Sequence, residues 1–229
     1  GYGLTRLLTQ LPFKSIAKAV DKGTQFVGLS DFTAFQLAVY AKTQRITWQG
    51  PALGEDFGPE SEPDEIMQAC FDDLCLEQGE GTGWRMPSTP SSPMLPSVKV
   101  NDAVLWGGNL AVLTSLLGTP YFPMVKGGVL FLEDVGEYYY AVDRLLWALK
   151  RSGKLAEIAG LIIGGFTGLE DNEPPFGESV TDMVLNLTAE YNYPIAFDFP
   201  AGHLPDNRAL ILGKHVTLEV TNTHTHLQF

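Results

Sequence analysis

Along most of this chain, stretches patterned as strands alternate with stretches of helical periodicity, and that alternation confines the fold to an α/β architecture. Residues 25–29 read as a strand and 31–42 as a helix through Phe32, Phe35, Leu37, Ala38 and Val39, so Ser30 falls in the turn between them. Residues 46–48 make another short strand and 65–77 a helix whose acidic first turn suits its dipole. Farther on, strands at 98–106, 128–132, 158–166 and 195–199 are separated by helices at 109–117, 138–151 and 179–191, with closing strands near 209–212 and 216–220. Upstream, Leu4, Leu7, Leu8 and Leu11, then Ile16, Ala17 and Val20, keep helical spacing, which Pro12 divides into two short helices. Between the two groups Pro87, Pro90, Pro93 and Pro96 recur every third residue among Ser and Thr, the period of an extended polyproline segment. Residues 86–97 are therefore expected to link a part spanning 1–85 to one spanning 98–229. Only two strands precede the seam, too few for a sheet that stands alone, so either strands lie in a portion not given or the first part leans on the second.

Composition narrows the function. With 27 Asp and Glu against 15 Lys and Arg, the net charge of −12 opposes nucleic acid and anionic lipid as partners. The apolar runs, such as residues 160–166, stop far short of the roughly 18 residues a membrane span needs. Cys70 and Cys75 stand five apart on a helical stretch, about 140° around the wheel, so a disulfide between them is not expected and the usage suits a reducing compartment.

Three strand ends carry chemistry. Ser30, after Gly28 and Leu29, sits where a strand turns sharply into a helix, a geometry that exposes Oγ and aims the first helical amides at a developing oxyanion. A plain helix cap is the blander account, and Phe32 stands where a hydrolase elbow has its second glycine. The buried pattern 129–132 ends in Glu133 and Asp134, which places an acid suited to orienting a histidine at the ligand-facing end of its strand. Gly202-His203 follows another strand and delivers an imidazole able to accept and return a proton near neutral pH. A nucleophile, an acid and a base in the order Ser30, Glu133, His203 make a serine triad the favoured reading. The Gly79–Gly83 stretch resembles a phosphate loop but follows a helix and lacks a Lys-Ser or Lys-Thr pair. His224 and His226 alternate as on a terminal strand, with no third ligand for a metal, and Asn109 after Trp106-Gly107-Gly108 reads as a helix cap. No cofactor and no metal are expected.

Gly1-Tyr2-Gly3-Leu4-Thr5-Arg6, Gly28-Leu29-Ser30-Asp31-Phe32-Thr33-Ala34, Gly50-Pro51, Leu105-Trp106-Gly107-Gly108-Asn109-Leu110, Gly118-Thr119-Pro120, Leu132-Glu133-Asp134 and Gly202-His203 together resemble the LD-carboxypeptidases (muramoyltetrapeptide carboxypeptidases). The resemblance implies a flavodoxin- or Rossmann-like N-terminal α/β domain, incomplete here, joined to a C-terminal α/β domain with a mostly β core. It implies a cytoplasmic serine peptidase, a homodimer, that removes the terminal D-alanine of a murein tetrapeptide through Ser30, His203 and Glu133. It further implies oxyanion donors at Asp31 and at Gly3 or Gly1. Arg6 and Arg208 are the cations nearest these motifs in sequence and hence candidates for the substrate carboxylate. A microcin-immunity peptidase acting on a peptidyl-nucleotide shares the same motifs, and a noncatalytic wall-peptide binding module is the rival from another class.

Overall fold

A computed structural model describes residues 1–58, 62–85, 98–221 and 224–229, so the proline seam at 86–97 lies outside the described residues. The first part contains α1 (Phe13–Val20), β1 (Val27–Gly28), α2 (Thr33–Thr43), β2 (Thr47–Gln49), α3 (Glu65–Cys75) and β3 (Gly81–Arg85). Ahead of α1 the expected helix is two 3-10 turns, Leu4–Arg6 and Leu8–Gln10. Pro12 leaves a stretch too short to nucleate a full α-helix, although its Leu8 is buried as the spacing predicts. After the seam come β4 (Val98–Asn109), α4 (Leu110–Ser115), β5 (Val129–Val135), α5 (Tyr139–Arg151), α6 (Lys154–Glu157), β6 (Gly160–Thr167), α7 (Val180–Thr188), β7 (Ile195–Ala196), β8 (Leu210–Leu212), β9 (His215–Val220) and β10 (His224–Gln228).

Seven strands form one mixed sheet in the order β3-β10-β9-β4-β5-β6-β7, parallel from β4 to β7 and antiparallel from β3 to β4. The second sheet is β1-β2-β8. Each sheet takes a strand from the far side of the proline seam: β8 completes the small sheet and β3 edges the large one. This is how the strand-poor first part satisfies its backbone groups. The glycine-rich Gly79–Gly83 stretch is thereby explained as the turn into β3 and its first three residues, since β3 pairs with β10 from Arg85 opposite His224 to Gly81 opposite Gln228.

The centre of the large sheet is buried on both faces, which accounts for the unbroken apolar run of β5. Leu130 and Leu132 pack with Leu110 and Leu113 of α4, Val142 and Leu146 of α5 and Leu187 of α7. Val129 and Phe131 point the other way, against Phe199, Leu210 and Leu218. By that alternation Glu133 emerges on the Phe131 side. β4 and β5 approach so closely at Gly107 that a Cβ there would lie 1.9 Å from the Phe131 carbonyl oxygen, and its φ of 131° is one that side chains avoid. Gly107→Ala is accordingly expected to destabilise the fold more than the Leu146→Ala truncation, whose cost should be about 2–5 kcal/mol. Urea unfolding of both variants checks the ranking.

Candidate active site

Ser30 follows β1 with φ 62°, a left-handed value uncommon outside glycine, and opens the 3-10 turn Ser30–Phe32 that feeds α2. Gly28 lies under this elbow because the Phe32 ring folds back on it; a Cβ at Gly28 would sit 2.7 Å from that ring. Gln36, buried on α2, fastens the strand ends by donating to the carbonyls of Gly28 at 2.9 Å and Trp48 at 2.7 Å. Thr33 Oγ1 accepts the Asn109 N–H at 3.0 Å, docking the end of β4 onto the helix that carries the serine. The Asp31 carboxylate accepts the Leu4 N–H at 2.9 Å, which holds the glycine-rich segment beside the elbow.

Glu133 is fully buried, and its Oε2 lies 2.8 Å from His203 Nδ1. Sequence placed this acid at a strand end, whereas β5 continues to Val135 and carries both Glu133 and Asp134 inside the ladder. Burial pushes the Glu133 carboxyl up, and the hydrogen bond to His203 opposes that rise. The same bond holds His203 above the ordinary histidine value, against the pull of its own burial. Gly202 makes the approach possible: its φ is 114°, and a Cβ there would lie 2.9 Å from Glu133 Oε2. Asp134 points elsewhere, accepting from Asn109 Nδ2 at 2.8 Å and from the backbone of Ala111 and Val135 at 3.0 and 2.9 Å. Asn109 caps α4 as read from sequence, accepting from Val112 N–H at 3.1 Å, and also braces the acid pair.

Ser30 and His203 line one cleft of roughly 1260 Å³, whose wall also includes Gly1, Phe32, Leu53, Phe57, Phe71 and Val112. Gly1 borders the cleft and Gly3 does not. Neither arginine does so. Arg6 is exposed at the end of a 3-10 turn. Arg208 pairs with Asp206 at 2.9 Å and donates to Thr82 Oγ1 and the Gly83 carbonyl, so its guanidinium joins β3 to the loop after His203. The wall instead presents Glu55, Asp72, Asp134 and Glu137, and no Lys or Arg among the described lining residues. Glu55 lies on a loop, Asp72 on α3, Asp134 on β5 and Glu137 just beyond it, and no spacing in the sequence grouped the first two with the last two. Cys70 and Cys75 are free thiols. Among the described residues no cluster of three or more His, Cys, Asp and Glu is arranged for a metal ion, and no helix is long and apolar enough to cross a membrane.

The LD-carboxypeptidase N-terminal domain matches residues 1–50 and the LD-carboxypeptidase C-terminal domain residues 102–218. A murein tetrapeptide carboxypeptidase of Pseudomonas aeruginosa is 34% identical over 222 residues, covering 96% of this chain and 70% of that protein. A probable murein peptide carboxypeptidase of Bacillus subtilis is 29% identical over 213 residues, covering 93% and 64%. The crystal structure of muramoyltetrapeptide carboxypeptidase from Oxalobacter formigenes superposes with a TM-score of 0.83 at 31% identity, covering all of this chain and 76% of that one. The microcin C7 self-immunity protein MccF, solved with aspartyl sulfamoyl adenosine, shares the fold with a TM-score of 0.81 at 22% identity, covering 100% and 73%. The chain belongs to the LD-carboxypeptidase family. It spans 64% of the length of the Bacillus subtilis relative and 61% of that of a putative carboxypeptidase of Streptomyces coelicolor.

Because its partner carboxylate raises His203, the imidazole should titrate by NMR with a midpoint above 6.5 in the native chain and drop toward or below it in Glu133→Gln. The sign for stability follows: the pair's contribution is full below about 6.5 and is lost as pH rises through the folded midpoint. Gly202→Ala, by forcing a methyl against Glu133, should lower the midpoint in the same direction as Glu133→Gln.

Proposed function

We propose that this chain carries the site of a serine peptidase that removes the terminal D-alanine from a murein tetrapeptide. Ser30 Oγ attacks the carbonyl that joins the L-centre of meso-diaminopimelate to D-alanine. His203 takes the serine proton and returns it to the departing D-alanine nitrogen, which leaves a peptidyl ester on Ser30. Water, deprotonated by the same imidazole, then cleaves the ester and releases the tripeptide. Glu133 holds the ring and stabilises its charged form. The Asp31 N–H, with Gly1 at the border of the cleft, is suited to the oxyanion, while Gly3, off the cleft wall, has no part in this reading. The observation that carries the reading is His203 on the same cleft wall as Ser30 with a buried carboxylate 2.8 Å behind it. A cytoplasmic setting and a homodimer belong to the same reading and rest on the family resemblance.

The charge of the cleft favours this substrate over the peptidyl-nucleotide alternative. Glu55, Asp72 and Glu137, with Asp134 buried behind the wall, attract the free ammonium group of a diamino acid and repel a phosphate-like linkage. Arg6 and Arg208, being outside the cleft wall, have no part in binding the substrate carboxylate in this reading.

Ser30→Ala should abolish D-alanine release from the tetrapeptide, measured by amino-acid analysis, and a serine-directed phosphonate should label the native chain at Ser30. Undiminished release would overturn the mechanism, and tetrapeptide binding without labelling would favour a noncatalytic module. In a separate comparison, Glu137→Gln should raise KM for the tetrapeptide while leaving KM unchanged for a tetrapeptide acetylated on the side-chain amine. Faster turnover of a peptidyl-nucleotide than of the tetrapeptide would reverse the choice between the two substrates.

A further inference from the structure

The loop that delivers His203 is closed on itself. Arg208 N–H donates to the Pro200 carbonyl at 2.9 Å, Leu204 N–H to the Gly202 carbonyl at 3.0 Å, and Thr167 Oγ1 to the His203 carbonyl at 3.2 Å. Inside it lies Asn207, 0% exposed. Its Oδ1 accepts the Gly202 N–H at 3.0 Å, one peptide before the histidine. Its Nδ2 points across the sequence, 3.4 Å from Asp56 Oδ2. Asp56 Oδ2 also accepts the Ala52 N–H at 2.6 Å, which shapes the loop whose Leu53, Glu55 and Phe57 line the cleft.

We propose that Asn207 is a positioning residue for catalysis, its side-chain amide coupling the His203 turn to the cleft loop around Asp56 so that base and substrate wall hold one geometry. The inference rests on Ser30, His203 and Glu133 being the catalytic group. Only a side chain with one acceptor and one donor at this length meets both partners. A shorter apolar residue would leave the buried Gly202 N–H unpaired, and a carboxylate would face Asp56 with like charge. Gly202 passes close beside Glu133, where a Cβ would lie 2.9 Å from Oε2. A shift in the Gly202 peptide therefore moves the imidazole relative to both its carboxylate and Ser30. Since misplacing a catalytic group by about 1 Å can cost on the order of 100-fold in rate, this bond has leverage well beyond its own strength.

The test uses the full chain and three measurements: kcat and KM for D-alanine release, the NMR titration midpoint of His203, and thermal unfolding. Asn207→Asp should fold, lower kcat by up to about 100-fold, raise KM and shift the His203 midpoint. The acidic groups around the ring are Glu133, Asp134 and Glu55, and because the added carboxylate of Asn207→Asp would by itself raise the midpoint, a fall is the shift that marks displacement of the ring from Glu133. Asp56→Ala leaves Asn207 and the triad intact and should raise KM with a smaller fall in kcat, which keeps the inference testable if Asn207→Asp does not fold. A merely structural role would lower the unfolding temperature while kcat and the His203 midpoint stay native, and that result in either folded variant overturns the proposal. If the native chain releases no D-alanine, the substrate assignment fails on its own, and the His203 midpoints of the native and variant chains still decide whether Asn207 positions the base.

Discussion

A carboxylate buried without solvent on an interior strand of the large sheet, β5, is the constraint around which this molecule is arranged. Desolvating such a group costs several kcal/mol, which is recovered only when a well-aimed partner meets it. For Glu133 that partner is His203 at 2.8 Å, and Gly202 provides the space for it. The alternation along β5 aims Glu133 toward the Phe131 side, where the segment from Phe199 to His203 passes. The acid therefore requires the late loop to be where it is, and the loop in turn requires a glycine before its histidine.

The serine is brought to the same cleft by a different set of ties. Thr33 fastens the helix that follows Ser30 to the end of β4, while Gln36 braces the ends of β1 and β2. β8, drawn from close to the C-terminus, closes the small sheet beneath the elbow through its pairing with β2. Ser30 and His203 come from the two sides of the proline seam, and this exchange of strands supplies the shared framework between them.

Electrostatics divide the same way between structure and chemistry. The net charge of −12 is not spread evenly in its effect, because four acidic residues line the cleft, Asp134 among them with its carboxylate turned to Asn109, and Arg208 is held by Asp206 at the base of the histidine loop. Buried or half-buried cations in an acidic chain are drawn first to fixed carboxylates that they can reach at short range. That competition explains why an arginine five residues after the histidine serves the loop and not the cleft wall.

Sequence alone determined the α/β character, because strand and helix periods are local, and it singled out Ser30, Glu133 and His203, because each follows an apolar strand pattern with a recognisable neighbour such as Gly28, Asp134 or Gly202. It also identified Asn109 as a cap, since capping involves only the next three residues. It could not show that β3 and β8 change sheets, nor that Glu133 lies within its strand, since strand partnership is set by packing between distant segments. Asn207 and Asp56 stand 151 positions apart and carry no local signature, and the acids of the cleft are likewise scattered along the chain. Local pattern names the candidate groups for chemistry, whereas only the folded chain decides which side chains share a desolvated space, because burial and hydrogen bonding depend on neighbours in three dimensions and not on neighbours in sequence.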